Sequence, residues 1–308
     1  MGLTVRRVQT EDDYWRIRAF LRKVFLRNER RELIWHVARL DYWRWHFIEN
    51  CQVCGPVGEV TSLWETGGGE IAAVLHPVSM GEAFLHVHPD FRNPTLEDEM
   101  IVCAEEHLTG ESADGRRYLF VQAFRDDALR RHALTQRSYA PSGQPVHHWR
   151  RDLDDSISQV PVAAGYTIRS MGDVDEFPAR SWASWRAFHP DEPDDQYEGW
   201  EWYGNIQSAP LYRRDLDIVA ASSSGEIAAF CTLWYDDVTR SAVCVLVGTA
   251  PEHQRRGLGK AVIVEGLRRL QRMGGTRAFA NGYDPPANAL YGAALGTSEL
   301  SDSWLKRW

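Results

Sequence analysis

Residues 249–273 read TAPEHQRRGLGKAVIVEGLRRLQRM, and this stretch decides the fold. Its second half spaces Ile263, Leu267, Leu270 and Met273 as one buried helical stripe, and two glycines follow where helices often end. Its first half places two more glycines behind a basic run, where the helix begins. A glycine there lets an anion approach the backbone N–H groups at the positive end of the helix dipole. The stretch therefore predicts a turn and helix built to hold an anion.

Two common nucleotide-binding loops do not fit this turn. A Walker loop needs a glycine where Gln254 stands and a Ser or Thr where Ala261 stands. A Rossmann fingerprint needs a third glycine where Val262 stands. The pattern that remains is Gln/Arg-x-x-Gly-x-Gly/Ala between a strand and a helix.

The segments around the turn define the element order of the second half. Before it, residues 217–249 contain three β-rich runs separated by the polar clusters SSSGE and DDVTR, which predicts an antiparallel meander. After it, RAFAN is typical of a strand, PPANALYGAAL of a helix and DSWLKRW of a last strand. A meander followed by alternating helices and strands predicts a mixed sheet flanked by helices.

The first half repeats this order. Residues 59–89 again read as three strands and a proline, followed by a helix from about Leu96 to His107, the strand RYLFVQA, a helix over DDALRRHALTQ and the strand VHHWRRDL. Each half also opens with a short strand and aromatic-rich helical segments. We infer an internal duplication, with domains at 1–155 and 163–308 joined near DDSISQVPVAAG. The predicted fold class is α/β (α+β), with two mixed, mostly antiparallel sheets.

Composition limits the class of protein. The 308 residues carry a net charge of −8, with 44% hydrophobic and 25% charged residues and five cysteines. These values disfavour a nucleic-acid partner, a disulfide framework and a membrane span, and the N-terminus has no secretory apolar core. We expect a cytoplasmic protein without a membrane partner. The basic residues concentrate in 255–277, which favours a small anionic ligand; a solvated basic face is the alternative for Arg268, Arg269 and Arg272.

With these motifs the chain resembles the GNAT superfamily of acyl-CoA-dependent N-acetyltransferases. The resemblance rests on the meander, the hexapeptide QRRGLG with its strand and helix, and Asn288 and Tyr291 in ANALYGAALG. It implies two tandem GNAT-like domains, acetyl-CoA as co-substrate and no metal.

The resemblance also assigns cofactor-binding residues. The backbone of Val247, Gly248 and Thr249 would pair with the pantetheine arm of CoA. A strand glycine often marks a bulge or a close backbone approach, although Gly248 could instead fit a crowded neighbour. The turn would hold the diphosphate through Gln254, Arg255, Arg256, Gly257, Leu258, Gly259 and Lys260.

Tyr291 matches the family's catalytic tyrosine, which protonates the departing CoA thiolate. A core role is the alternative. Asn288, one helical turn earlier, would contact cofactor amides or phosphates. The strand that often carries the family's catalytic base is apolar here. The base therefore stays open among Asp236, Asp237, Asp284, Glu198 and Glu201; a water chain, or an amine that arrives already neutral, would serve as well.

The first half departs from the turn pattern. Aligning Pro89 with Pro251 puts Thr95 and Glu97 at the two glycine positions. A β-branched side chain and a carboxylate would hinder a diphosphate, so we expect no CoA binding there. We interpret this half as a degenerate copy that shapes the structure and the substrate site; binding of a different ligand is the alternative.

Two cysteine and histidine patterns carry no predicted metal site. Cys51 and Cys54 form a lone C-x-x-C without a second pair, and zinc usually needs four ligands. His86 and His88 alternate on one strand, a pattern more typical of packing.

The acceptor is predicted to be the primary amine of a small molecule. Residues 181–205 mix tryptophans with carboxylates, which suits a cationic or amphipathic amine. The predicted activity is direct acetyl transfer in a ternary complex; a homodimer is compatible with the sequence. A non-catalytic acyl-CoA-binding or regulatory protein with the same fold is the alternative.

Overall fold

The computed structural model describes residues 2–308, which form two compact units. The first unit contains the chain up to His148 together with Glu299–Trp308, and the second contains Trp149–Ser298. Each unit is a mixed sheet flanked by helices, as the sequence predicted. The ends of the units differ from the proposed domains, because the last ten residues pack with the first unit.

The elements follow each other in the predicted order. In the first half they are β1 (Thr4–Arg7), α1 (Glu11–Arg27), α2 (Val37–Tyr42) with a π-helical turn (Trp43–Ile48), α3 (Val57–Val60), β2 (Ser62–Glu65), β3 (Ile71–Pro77), β4 (Glu82–Val87), α4 (Pro94–His107), β5 (Gly110–Glu111), β6 (Arg117–Phe124), α5 (Ala128–Gln136) and β7 (Ala140–Asp152). In the second half they are β8 (Tyr166–Ser170), α6 (Phe177–Phe188), α7 (Glu201–Gln207), β9 (Asp217–Ser222), β10 (Ile227–Asp236), β11 (Ser241–Thr249), α8 (Leu258–Arg272), β12 (Arg277–Gly282), α9 (Pro285–Ala294) and β13 (Thr297–Arg307).

The sheet of the first unit has the strand order β1-β2-β3-β4-β6-β13, with β5 beside β6. Its pairs are antiparallel except for β4 with β6, which are parallel. The C-terminal strand completes this sheet: Ser301–Arg307 pair with Tyr118–Phe124. The sequence predicted this strand but not its partner.

The sheet of the second unit has the order β12-β11-β10-β9-β8. Only β11 and β12 are parallel. Every residue of β10 is buried, because α8 covers one face of the sheet and α6 with α7 covers the other. The predicted helical stripe lies in this core: Ile263, Leu267 and Leu270 are fully buried on α8.

A repeated ion pair shows that the two units share one plan. Arg6 of β1 donates to Asp13 on α1, seven residues later, and Arg169 of β8 donates to Glu176, also seven residues later. In both cases the carboxylate also accepts a backbone N–H four residues before it. Asp13 and Glu176 are therefore equivalent positions, and they align the first helices of the two units.

Candidate functional site

Strand β11 contains a bulge at Leu246. On β10, Cys231 faces Val247 whereas Leu233 faces Cys244, so β11 has one extra residue between these pairs. Leu246 has a φ of +65°, a left-handed conformation that residues with a side chain adopt at a cost of roughly 1–2 kcal/mol. A bulge bends its strand and increases the local twist, so the last part of β11 is redirected.

The redirected end of β11 separates from β12. The parallel register joins Ser241–Val243 to Arg277–Phe279, and no pairing of the two strands continues past Val243 within residues 2–308. Val247, Gly248 and Thr249 pair with β10 on their other side. Their β12-facing edge can therefore take up an extended chain through N–H and C=O groups, as strand addition does. These three are the residues predicted to pair with pantetheine.

The predicted turn follows directly. The Gln254 side chain donates to the Thr249 carbonyl at 3.2 Å, which ties the turn to the end of the strand. Arg255 and Gly257 have φ values of +60° and +76°, and α8 starts at Leu258 with no side chain capping its first N–H groups. Uncapped N–H groups at a helix start favour an anion. The Leu258 side chain is buried in the core, so its N–H is what it can offer a ligand.

Gly259 lets three elements meet at this turn. A Cβ on Gly259 would lie 3.3 Å from Thr249 Oγ1 and 3.4 Å from Leu290 Cδ2. The start of α8 thus packs closely between the end of β11 and α9. Tyr291 follows Leu290, so the helix that carries it contacts the turn.

The turn has cations that the protein itself does not neutralise. Among residues 2–308, Arg255 and Lys260 have no carboxylate partner, and Arg255 is exposed. Arg256 donates to the Glu252 carbonyl at 3.4 Å and lies 5.8 Å from the centroid of the Tyr166 ring. An anion held by the N–H groups of the turn would therefore also meet positive charge.

The basic face of α8 is different in kind. Arg268, Arg269 and Arg272 all lie within 4 Å of the Glu265 carboxylate, at 3.0, 2.8 and 3.7 Å. Burial alone would raise the pKa of Glu265, but these arginines hold it below its ordinary value. The geometry favours the alternative interpretation, in which the three belong to a paired helix surface and not to the turn.

Gly248 has a packing explanation. A Cβ at this position would overlap the Phe230 ring and lie 2.9 Å from Ala187 Cβ on α6. The crowded-neighbour alternative is therefore sufficient to account for the glycine, whether or not a cofactor approaches its other side.

Helix α9 presents the two remaining predicted residues. Asn288 Oδ1 accepts a hydrogen bond from Trp149 Nε1 at 2.8 Å and lies against Gly282 at the end of β12. The side-chain carbonyl of Asn288 is thus already engaged in a hydrogen bond within the protein. Tyr291 is 8% exposed and lies within the core that includes Leu258. Both assigned roles stay predictions.

Three of the five candidate bases have local structural roles. Buried Asp236 accepts from the N–H and hydroxyl of Thr239 in the hairpin, at 3.0 and 2.8 Å. Asp284 caps α9 by accepting from Ala287 N at 2.8 Å, and Glu201 accepts from the preceding N–H at 3.0 Å. The other two candidates, Asp237 and Glu198, are exposed.

A buried polar network on the α6 side of the sheet was not found by sequence reasoning. Asp217 on β9 is fully buried and accepts hydrogen bonds from the hydroxyls of Tyr203, Tyr212 and Thr232. Burial and the Asp217 charge raise the pKa of both tyrosines, so they stay protonated donors. Arg180 on α6 lies beside this carboxylate. One signal was available, since Arg180 stands on the i, i+3, i+7 stripe that the helix buries.

The equivalent turn of the first unit is closed by its own side chains. Asn93 caps α4 by accepting from Leu96 N at 3.1 Å. Glu97 is fully buried and forms ion pairs with Arg92 and Arg130 at 2.6 and 2.9 Å. Burial alone would raise the pKa of Glu97, but the two arginines lower it below its ordinary value. The groups that an anion would need are thus already engaged.

The histidine and cysteine patterns lie in the first unit. His86 is fully buried against His76, with 2.9 Å between their Nε2 atoms, and His88 Nδ1 accepts from Asp90 N. Cys51 and Cys54 are free thiols. Within residues 2–308 no three His, Cys, Asp or Glu side chains are grouped as metal ligands, and no helix is long and apolar enough to cross a bilayer.

Comparisons with known proteins agree with this architecture. A model of the acetyltransferase (GNAT) family matches residues 175–296. A GCN5-related N-acetyltransferase from Sphaerobacter thermophilus superposes with a TM-score of 0.67 at 17% identity, over 99% of this chain and 95% of that one. A tandem GNAT protein from the clavulanic acid biosynthesis pathway gives 0.63 at 15%, over 99% and 98%. A GNAT-family acetyltransferase from Colwellia psychrerythraea gives 0.59 at 12%, over 98% and 100%. No curated protein sequence matches significantly.

Proposed function

We propose that the GNAT acetyltransferase domain in residues 175–296 transfers an acetyl group from acetyl-CoA to the primary amine of a small molecule. The observation that carries the proposal is the junction of a bulged, separated β11 with the uncapped start of α8, where Gly259 allows close approach. The free edge of β11 suits an extended amide chain and the start of α8 suits a diphosphate. CoA contains both groups in one molecule.

The cofactor would bind without a metal. The free edge of Val247–Thr249 would pair with the pantetheine amides, and the N–H groups of the turn with Arg255 and Lys260 would hold the diphosphate. Holding the acyl donor beside a bound amine lowers the entropic part of the barrier to transfer.

The transfer itself is a single acyl exchange in a ternary complex. The neutral amine attacks the thioester carbonyl, a C–N bond forms, and the C–S bond breaks. The CoA thiolate takes the Tyr291 hydroxyl proton, the ammonium formed on the product loses one proton to water, and water returns one proton to the Tyr291 phenolate. Water is the proposed base: Asp236, Asp284 and Glu201 have the structural bonds described above, and the exposed Asp237 and Glu198 are the remaining side-chain candidates.

We propose that the first unit does not bind CoA. The capped start of α4 and the buried pairs of Glu97 support this, because a diphosphate would have to displace the Asn93 cap and face a carboxylate. The unit would then serve as the structural and substrate-shaping copy.

A thiol-release assay with acetyl-CoA and a panel of amines tests the activity. Tyr291→Phe should reduce turnover while CoA binding is retained, because the phenol acts on the leaving thiolate and not on the diphosphate. Tight CoA binding with no release for any amine would favour the alternative, a non-catalytic acyl-CoA-binding protein.

The cofactor site is tested separately by calorimetric CoA titration. Gly259→Glu should abolish binding, since it adds a carboxylate at the turn and a side chain whose Cβ would already lie 3.3 Å from Thr249 Oγ1 and 3.4 Å from Leu290 Cδ2. Gly204→Glu is the matched control, because an added side chain at Gly204 meets nothing within 4 Å. Unchanged affinity in Gly259→Glu would refute the assigned site.

A further inference from the structure

Arg180 has an incomplete set of hydrogen bonds in a fully buried position. Its side chain is 0% exposed, and Nε and Nη1 have no hydrogen-bond acceptor within residues 2–308. Nη2 reaches Thr232 Oγ1 at a long 3.4 Å, and Nε lies 3.7 Å from Asp217 Oδ1. Nε thus has the Asp217 carboxylate nearby, whereas Nη1 has no hydrogen-bond acceptor among the described residues. Buried unsatisfied donors are rare in proteins and costly, and each calls for an occupant such as a water or a ligand.

Asp217 does not complete the set. Its two carboxylate oxygens already accept hydrogen bonds from the hydroxyls of Tyr203, Tyr212 and Thr232. The three hydroxyls around this carboxylate donate to it, and Arg180 adds more N–H donors than Asp217 and the Thr232 hydroxyl accept. This buried cluster thus lacks one acceptor, and beside a guanidinium the best acceptor is an anion.

The fold does not require an arginine at this position. Counting four residues on from the equivalent carboxylates Asp13 and Glu176 gives Ile17 in the first unit and Arg180 in the second. Ile17 is 0% exposed, so an apolar side chain fills the position in the copy. Replacing an apolar core residue by an incompletely paired arginine destabilises a fold, which points to a use for the charge.

The first unit also shows how a buried arginine is satisfied when its role is structural. Arg18 is 4% exposed and donates to both oxygens of Asp41, from Nε at 2.8 Å and Nη2 at 3.0 Å. Arg180 has no such fork, which distinguishes it from a purely structural ion pair.

Arg180 lies near the proposed site of transfer. Its guanidinium carbon is 3.7 Å from the centroid of the Phe230 ring, and the edge of that ring lies against Gly248. Gly248 belongs to the β11 segment proposed to hold pantetheine. One aromatic ring therefore lies between the guanidinium and that strand.

We propose that Arg180 binds the carboxylate of the acceptor, and that the acceptor is an amino-acid-like amine. The carboxylate would bind at the Nη1 end of the guanidinium, with its second oxygen towards Nη2. This inference rests on the acetyltransferase function proposed above and adds the class of acceptor to it. Asp217 and its hydroxyl partners hold the guanidinium in place.

Matched acceptor pairs test the proposal in the thiol-release assay. L-phenylalanine, L-tyrosine and L-lysine are compared with 2-phenylethylamine, tyramine and cadaverine, which lack the carboxylate. The amino acids should have the lower KM, and Arg180→Met should raise it about 10-fold or more, as expected for loss of a hydrogen bond to a charged group. The KM of the carboxylate-free amines should not change.

Arg213→Met is the control, because Arg213 belongs to the same unit and is paired at the surface with Asp215 at 2.8 Å. It should leave both sets of KM values unchanged. Arg180→Lys, which keeps the charge and loses the planar fork, should give an intermediate KM for the amino acids.

A measurement that needs no turnover separates this inference from the proposed function. The wild-type Tm is measured with each amino acid and each matching amine in the presence of CoA, and crystals soaked in the best amino acid are examined at Nη1. A Tm rise for amino acids alone, lost in Arg180→Met, supports the carboxylate site even if no thiol is released. Three results would overturn it. The Tm does not rise with any amino acid, or it rises equally with the amino acids and the matching amines, or the soaked crystals show only an ordered water at Nη1.

Discussion

Lowering the pH from 7 to 5 should destabilise the first unit through His76. This side chain is fully buried, and burial lowers its pKa from 6.5 to about 4. Its Nδ1 donates to the Pro77 carbonyl at 3.0 Å, so Nε2 is the acceptor for His86 Nε2–H at 2.9 Å. Nδ1 of His86 then accepts from Trp35 N. This chain of bonds uses one proton per ring, and both histidines must be neutral to form it.

The sign of the effect follows from linkage. Between pH 6.5 and 4 the unfolded chain binds a proton at His76 that the folded chain does not, so the free energy of unfolding falls as the pH falls. The contribution of His76 to the free energy of unfolding is fully present above pH 6.5. With the two pKa values above, about 2 kcal/mol is lost by pH 5 through His76 alone. Burial also lowers the pKa of His86 well below its ordinary value, which adds a loss of the same sign.

Urea unfolding at pH 7 and pH 5 measures this loss. His76→Asn removes the titrating group, so the variant should lose about 2 kcal/mol less than the wild type over this range. His132→Asn, at an exposed position on α5, is the control and should behave as the wild type. NMR titration of the wild-type ring nitrogens gives a second measurement that does not depend on a folded variant. An equal pH dependence in His76→Asn, or a His76 ring that titrates near pH 6.5, would refute the reasoning.

Two further predictions concern the second unit. Gly248→Ala should reduce the free energy of unfolding by about 1–3 kcal/mol, because the new Cβ would overlap Phe230. Gly204→Ala is the control, because its new Cβ meets open space and should not destabilise by overpacking. Equal urea midpoints for the two variants would contradict the packing role of Gly248. Arg255→Gly should raise the Tm, because glycine relieves the left-handed backbone strain by up to about 1 kcal/mol. The same change should lower the affinity for CoA, because the positive charge is lost. A gain in affinity would exclude a role for that charge in binding.

The sequence was most informative where the structure is local. The turn from Gln254 to Lys260 could be predicted because its glycines, its basic residues and the apolar period of α8 all lie within one short segment. The bulge was not predicted in its position. Leu246 carries no local signal for a left-handed φ, because the extra residue is defined by the register with β10.

Contacts between residues far apart in the sequence could not be predicted. The pattern of DSWLKRW predicted a strand, but alternation specifies a buried face and not a partner, and Ser301–Arg307 pair with β6 of the first unit. In the same way, the position of Arg180 on a helical stripe gave no indication of Asp217, which lies on a strand far along the chain. Each depends on tertiary contacts that no window of sequence contains.

The C-terminal strand has a consequence for the order in which the chain can be assembled. The first unit combines the chain up to His148 with Glu299–Trp308, so all of Trp149–Ser298 must be synthesised before its sheet can be completed. Until then the edge of β6 that Ser301–Arg307 cover is open, and an open strand edge pairs readily with other chains. During translation, and in any chain cut short before Ser301, the sheet of the first unit is exposed to aggregation until Ser301–Arg307 pair with β6.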